Sequence, residues 1–189
     1  MFAQLDTKSV YSFMDSVVDL TTYVERAKKL GYQALGLMDR DNLYAAYHFA
    51  QFASSKGLRP LIGMEANLFY EGRKIPFRLL AKNNQGYKNL MKLATELSSG
   101  QRELTAFSDY LNAIALILPS EEWEPGMTLG SEVFIGIRPE DAGKEFDYPV
   151  IPLHTVRYFE NVDRSTIQML HAISQNVSLS EASICPMNQ

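Results

Sequence analysis

Carboxylates accompany several of the short apolar runs in this sequence, where an α/β protein usually carries its reactive groups. Asp6 follows the first run, Asp39 directly follows the second, and Glu65 lies within a third. Carboxylates that converge at strand ends can hold a divalent metal ion or act as general acids and bases. Metal binding and acid–base catalysis are therefore the first chemistry to consider.

Cations occupy the same strand ends, at Lys8, Arg40 and Arg157. A carboxylate beside a cation belongs more often to an ordinary ion pair than to a catalytic site. We therefore interpret the charged residues at these strand ends as mainly structural, with metal-assisted chemistry as the alternative.

Histidine and cysteine give little support to a metal site. Only His154 follows an apolar run, whereas His48 and His171 fall within helical patterns and are interpreted as packing or surface residues. A zinc site needs several His or Cys ligands that converge. The single cysteine, Cys185, excludes an internal disulfide and fits a reducing cytoplasm.

The composition is that of one ordinary globular domain. The chain has 189 residues, with 18 Lys and Arg against 22 Asp and Glu and a net charge of -4. A protein that grips duplex DNA usually carries a basic surplus, because it neutralises phosphates with Lys and Arg. We therefore expect that this part of a protein does not bind DNA directly. No apolar run approaches the roughly 20 residues that span a bilayer.

Apolar runs alternate with amphipathic stretches along the chain, which is the pattern of alternating strands and helices. Helices are predicted after a capping box at residues 16–19, after Asn42 up to Gly57, from Asn83 or Asn84, and from Asn161 or Asp163. Strands are predicted at residues 1–5, 34–38, 59–70, 75–81, 113–118, 133–137 and 150–153. The alternation predicts an α/β fold with mostly parallel strands, open or closed into a barrel.

Four segments resemble one known family. QLDTKSVYSFMDS resembles the motif HLHxHSxYSLLDG, and the stretch from GYQALGLMDRDNLYAA to LIGMEANL resembles GxxALxLTDHGNLxGA followed by GxxPIIGxE. FRLLAKNNQGYKNLMKLAT resembles LLLAKNxxGYxNLxKL, and PLHTVRYFENVDRSTIQMLHAI resembles a later segment that carries NDVHY. These motifs are similar to those of the PHP (polymerase and histidinol phosphatase) domain of bacterial DNA polymerase III alpha subunits. The resemblance covers most of residues 1–98 and 148–176, but residues 100–147 do not align.

The resemblance implies a distorted (β/α)-barrel of the PHP type, formed by residues 1–189 as a single domain at the N-terminus of a longer polymerase chain. It also implies that most metal ligands of the family are replaced. The family's metal-site positions fall on Asp6, Lys8, Asp39, Arg40, Glu65, Pro76, Thr155 and Arg157. Only the aspartate at Asp39 and the glutamate at Glu65 are kept as the family has them, and three histidine positions have become cationic.

This replacement pattern has a physical interpretation. A metal cluster supplies the positive charge that holds converging carboxylates together. Lys8, Arg40 and Arg157 would supply that charge covalently, and we expect one of them to contact Asp39 or Glu65. We accordingly expect no metal cofactor and no catalytic residue in this fragment.

The leading hypothesis is a catalytically inactive module that supports a cytoplasmic DNA-directed DNA polymerase (a nucleotidyltransferase) and docks other domains or replisome subunits. DNA would be bound only through the full-length protein. The alternative is a metal-dependent phosphoesterase or 3'-5' proofreading exonuclease that uses Asp6, Asp39, Glu65 and His154 in a reduced site. A free-standing α/β hydrolase is the third hypothesis.

Overall fold

The computed structural model describes residues 3–130 and 132–182, so Cys185 lies outside the described residues. The chain forms two compact units. The first unit contains the described residues up to Arg40, then Tyr44–Pro60, and the chain from His154 onward. The second unit contains Asp41–Leu43 and Leu61–Leu153. No helix of the described chain is long and apolar enough to cross a membrane.

The first unit is built on short parallel strand pairs and three helices. Strand β1 pairs with β3, and β2 pairs with β9, both in parallel. Helices α1, α2 and α4 accompany them. The bounds are β1 Ala3–Gln4, β2 Asp6–Thr7, α1 Leu20–Lys29, β3 Ala34–Arg40, α2 Ala46–Ser55, β9 Thr155–Val156 and α4 Asn161–Gln175.

Two predicted helix starts in this unit are wrong. Helix α1 begins after Asp19, whose carboxylate accepts hydrogen bonds from the backbone N–H groups of Thr21 and Thr22. Ser16, the predicted cap, instead donates its hydroxyl to the carbonyl of Lys8 over 2.6 Å. Helix α2 begins after Ala45 rather than Asn42, and no side chain caps it.

The second unit is a sheet in the order β4-β5-β6-β7-β8. The β4–β5 and β5–β6 pairs are antiparallel, and the β6–β7 and β7–β8 pairs are parallel. Helix α3 begins after Asn83, as predicted, because the Asn83 amide oxygen accepts from the N–H groups of Gln85 and Gly86. The bounds are β4 Arg59–Tyr70 (its first two residues belonging to the first unit), β5 Arg73–Ala81, α3 Asn84–Ser98, β6 Ile114–Pro119, β7 Val133–Ile137 and β8 Val150–Pro152.

A two-residue turn sets the register of the β4–β5 hairpin. Glu71 and Gly72 both have positive φ, at 50° and 79°, which is the conformation that suits a tight hairpin of right-handed twist. The register that follows places Glu65 directly opposite Arg78. Behind this hairpin lies the core of the unit, which includes Leu68, Ile75, Phe77, Leu79, Leu90, Leu93, Phe107 and Leu118.

Within the two units, four strand pairs are parallel and two are antiparallel. The strand bounds at Arg59–Tyr70 and Val133–Ile137 agree with the sequence prediction, and β1, β3, β5, β6 and β8 lie within two residues of their predicted bounds. Strands β2 and β9 were not predicted. The prediction of an α/β fold with mostly parallel strands is therefore confirmed.

Tyr23 of helix α1 forms hydrogen bonds with strands β2 and β3 of the first unit. Its hydroxyl donates to the carbonyl of Gly36 in β3 and accepts from the Thr7 hydroxyl in β2, both over 2.9 Å. Burial raises the pKa of Tyr23 far above its ordinary value, so the group acts here as a neutral hydrogen-bonding hydroxyl. Gly36 is required at its position, because a Cβ there would lie 1.8 Å from the carbonyl oxygen of Leu5.

We predict that Tyr23→Phe lowers the free energy of unfolding by about 1–3 kcal/mol, because it leaves two buried polar groups without their partner. The matched control is Tyr47→Phe. Tyr47 is 63% exposed, and its hydroxyl accepts a hydrogen bond from the Gln51 side chain, a contact that water can replace. Urea unfolding of the three proteins checks the prediction, and equal losses for the two variants would contradict it.

Candidate functional site

The β2–β9 pairing brings three of the predicted site residues together in the first unit. Asp6 stands opposite Thr155 in the register, and the Thr155 hydroxyl donates to Asp6 Oδ2 over 2.6 Å. The next residues continue the contact, since the backbone N–H of Lys8 donates to the carbonyl of Val156. Lys8 Nζ lies 3.7 Å from Asp6 Oδ1, so the ammonium and the carboxylate form an ion pair.

This ion pair has no access to solvent. The side chains of Lys8 and Asp6 are both fully buried. Lys8 Nζ also donates to the carbonyl of Met38 in β3 over 3.2 Å. A buried ammonium is tolerated only where carboxylates and carbonyls compensate its lost hydration. Lys8 therefore acts as a fixed positive charge between the ends of β2 and β3.

Asp39 is held by hydroxyls and a backbone amide. Its Oδ1 accepts from the Ser9 backbone N–H and the Ser12 hydroxyl, and its Oδ2 accepts from the Ser9 hydroxyl, each over 2.7 Å. The Ser12 hydroxyl oxygen also accepts from the backbone N–H of Arg40. Short hydrogen bonds of this kind stabilise an ionised carboxylate strongly. Three of the roughly four acceptor positions of Asp39 are thus in use.

Three side chains converge on one carboxylate that the sequence analysis did not single out. Asp15 Oδ2 lies 2.7 Å from Arg40 Nη2, and Asp15 Oδ1 lies 3.1 Å from Arg157 Nε and 3.3 Å from His171 Nε2. The Asp15 side chain is only 5% exposed. We call Asp15, Arg40, Arg157 and His171 the Asp15 cluster.

A cavity of about 340 Å³ opens beside the Asp15 cluster. Its walls come from the loop before α1, from the ends of β3 and β9, and from α4. The lining residues are Phe13, Met14, Asp15, Arg40, Arg157, His171, Ser174 and Gln175.

Glu65 and Pro76 meet on one arginine in the second unit. Arg78 Nη2 lies 3.2 Å from Glu65 Oε2, and both side chains are more than nine-tenths buried. Arg78 Nη1 donates to the carbonyl of Pro76 over 2.7 Å. Pro76 thus contributes a backbone oxygen to the site, although its side chain offers no ligand.

Cations lie beside the carboxylates in both units. Arg40 and Arg157 contact Asp15 in the first unit, and Arg78 lies beside Glu65 in the second. The expected contact of Lys8, Arg40 or Arg157 with Asp39 or Glu65 stays a prediction. The interpretation of His171 as a packing or surface residue was incomplete, because its ring belongs to the Asp15 cluster.

Two further histidines belong to the first unit. His48 is exposed on α2, in agreement with the sequence analysis. His154 provides its carbonyl to the Gln4 side chain. Within residues 3–130 and 132–182, no group of three His, Cys, Asp or Glu side chains is placed to hold a metal ion. At the predicted site of the first unit, the Lys8 ammonium lies beside Asp6, and the Arg40 and Arg157 guanidinium groups lie beside Asp15. This set of side chains does not fit a metal cluster, because cations stand among the carboxylates.

Comparison with known proteins shows which family this chain belongs to. A family model of the PHP domain matches residues 4–126, and the chain belongs to this family. The chain is also 44% identical over 191 aligned residues to DNA polymerase III subunit alpha of Streptococcus pyogenes serotype M1, covering 100% of this chain and 18% of that protein.

Two further similarities are weaker. DNA polymerase III subunit alpha of Bacillus subtilis (strain 168) is 33% identical over 127 residues, which cover 64% of this chain and 11% of that protein. An amidohydrolase from Chromobacterium violaceum superposes with a TM-score of 0.44 at 19% identity, over 53% of this chain and 34% of that one. The chain thus spans less than a fifth of the length of the polymerase subunits that it matches.

We predict that Asp15→Asn lowers the free energy of unfolding by about 1–3 kcal/mol, since it removes the carboxylate shared by three partly buried partners. The control is Glu132→Gln, which breaks an ion pair with Lys82 whose two side chains are 42% and 50% exposed. An exposed pair of this kind contributes only about 0–1 kcal/mol. Chemical denaturation measures both, and a loss for Asp15→Asn no larger than that of the control would refute the shared-carboxylate account.

Proposed function

We propose that residues 1–189 are a single, catalytically inactive PHP domain of a DNA polymerase III alpha subunit. In this proposal the domain lies at the N-terminus of a cytoplasmic DNA-directed DNA polymerase and serves it as a structural and interaction module. The polymerase active site and the DNA-binding surfaces belong to the rest of the chain. The support is the family match together with the identity of 44% to a polymerase subunit that is over five times longer.

The observation that carries the proposed inactivity is the position of the Lys8 ammonium. It lies within the protein at a family metal-site position, 3.7 Å from Asp6 Oδ1 and 3.2 Å from the Met38 carbonyl oxygen. A cation bound covalently at this place repels a divalent ion and supplies part of the same positive charge. Lys8 therefore takes over the electrostatic role of a metal but offers neither a Lewis acid nor an activated water.

Asp39 supports the same proposal from the other side. Its oxygens accept three short hydrogen bonds from Ser9 and Ser12, so metal coordination would have to break contacts that hold the loop after β2. Glu65 likewise faces Arg78 in a buried ion pair. Both carboxylates retained at family positions thus already have partners that stabilise their charge.

We predict that the purified chain carries no stoichiometric zinc, manganese or iron, and that it hydrolyses neither phosphate monoesters nor single-stranded DNA ends when these metals are added. The physical reason is that fixed cations occupy the places of the ligands. Elemental analysis and a phosphate-release assay measure the two quantities. Metal-dependent turnover that Asp39→Ala abolishes would overturn the proposal and support the phosphoesterase or exonuclease alternative.

A ligand-restored variant provides the positive control. Lys8→His combined with Arg40→His and Arg157→His returns imidazole to three positions while it leaves Asp39 and Glu65 in place. If this variant folds and gains bound metal under the same loading conditions, the lack of metal in the parent chain reflects its side chains rather than the protocol.

A further inference from the structure

Helix α4 carries apolar side chains on two of its faces. One face packs into the first unit, where Ile167 is fully buried and Leu170 packs against its cluster. On another face, Met169 is 51% exposed and Ile173, one turn further along the helix, is 62% exposed. A surface helix normally turns polar side chains to water, and a helix that is apolar all round is normally buried. The face formed by Met169 and Ile173 therefore has the composition of a surface that another element covers.

The exposed apolar surface continues into the turn that follows α4, where Val177 and Leu179 are also exposed. The backbone of this turn is held against the helix. The Val177 N–H donates to the Ala172 carbonyl, and the Gln168 side chain donates to the Leu179 carbonyl over 3.3 Å. A surface whose backbone is already ordered loses less conformational entropy when a partner binds. The α4 patch is defined as Met169, Ile173, Val177 and Leu179.

The sequence that carries the α4 patch is unusual in its charge. Residues 165–180 contain no Asp, Glu, Lys or Arg, although 21% of the whole chain is charged. Charged residues are depleted at the centre of protein–protein interfaces. Nucleic acid, by contrast, is bound through Lys and Arg side chains that neutralise phosphates. The charge pattern therefore favours a protein segment as the occupant of the α4 patch.

The size of the α4 patch favours a segment of the same polypeptide. Four partly exposed apolar side chains present roughly a few hundred Å², the size of the largest apolar patch on a typical monomer. A stable complex between separate chains buries about 1,200–2,000 Å² in total, so this patch is too small to hold one together by itself. A tethered segment needs less area, because the connecting chain raises its effective concentration to about the millimolar range.

We propose that the α4 patch docks an apolar segment of the polymerase chain beyond residue 189, so that Met169 and Ile173 are buried in the full-length protein. This inference rests on the proposed function as an interaction module, and it names the surface and the kind of segment that the surface binds. The relatives have ample chain for this contact, because the present sequence spans only 18% of the Streptococcus pyogenes subunit.

Photo-crosslinking in the full-length polymerase chain that carries this sequence tests the proposal. With benzoyl-phenylalanine in place of Met169, we expect a crosslink to a segment beyond residue 189, which mass spectrometry locates. The measurement is made on a mixture of isotope-labelled and unlabelled chains. An intramolecular crosslink joins only peptides of the same label, whereas a crosslink between two copies also joins labelled to unlabelled peptides.

A charge placed in the α4 patch should prevent the docking. Ile173→Lys is expected to lower the crosslink yield about ten-fold or more, because docking would then bury an ammonium group. The Ile173 side chain is mostly exposed in the first unit, so the change leaves the fold of that unit intact. Ser174→Lys is the matched control, since it adds the same charge at the next position, which lines the cavity beside the Asp15 cluster. This control should retain the yield.

Several outcomes would overturn the inference. Crosslinks from position 169 to a second copy, to a different protein, to nucleic acid or only to residues within 1–189 would do so. A yield that Ile173→Lys leaves unchanged, or that Ser174→Lys lowers equally, would have the same consequence. The metal and hydrolysis assays described above do not involve the α4 patch. Metal-dependent turnover with the crosslink intact would therefore overturn only the proposed inactivity, whereas a missing crosslink without metal or turnover would reject only this surface.

Discussion

The buried pair of Lys8 and Asp6 is the interaction on which the first unit depends. The two fully buried opposite charges lie 3.7 Å apart at the end of β2, and the Thr155 hydroxyl donates a hydrogen bond to the Asp6 carboxylate. Such a pair contributes little net stability, but the loss of one partner leaves an uncompensated buried charge. The chain must therefore keep both charges or neither, and the surrounding loop is built to keep both.

The same rule of local compensation explains the rest of the candidate site. Asp39 is stabilised by neutral donors from Ser9 and Ser12. Asp15 is stabilised by cations, and Glu65 is stabilised by Arg78. Each of these carboxylates thus has stabilising partners within its own unit. A metal cluster would have served several carboxylates at once. In the proposed inactive domain, separate side chains take the place of such a cluster, and the fixed geometry that they give would suit a structural role better than turnover.

The sequence predicted secondary structure well where the signal is a local pattern of residues. It predicted side-chain contacts poorly where the partners are far apart in the chain. Apolar runs predicted the strands because a buried strand must be continuously apolar. Ser16 was misread as a helix cap, because its hydroxyl serves the carbonyl of Lys8. Arg78 was missed, although the Glu71-Gly72 turn implies a register that places it opposite Glu65. Asp15 carried no local signal, since its three partners come from β3, the chain after β9, and α4.

A double-mutant cycle on Asp6 and Lys8 tests the central claim, that a covalent cation now balances charge at the family's metal position, most directly. Asp6→Asn and Lys8→Met, singly and together, would be compared by chemical unfolding in the presence of a chelator. Each single change is expected to cost about 3–5 kcal/mol, and the double variant much less than their sum, because it removes both buried charges. Strictly additive losses would show that the two groups do not compensate each other and would contradict the account.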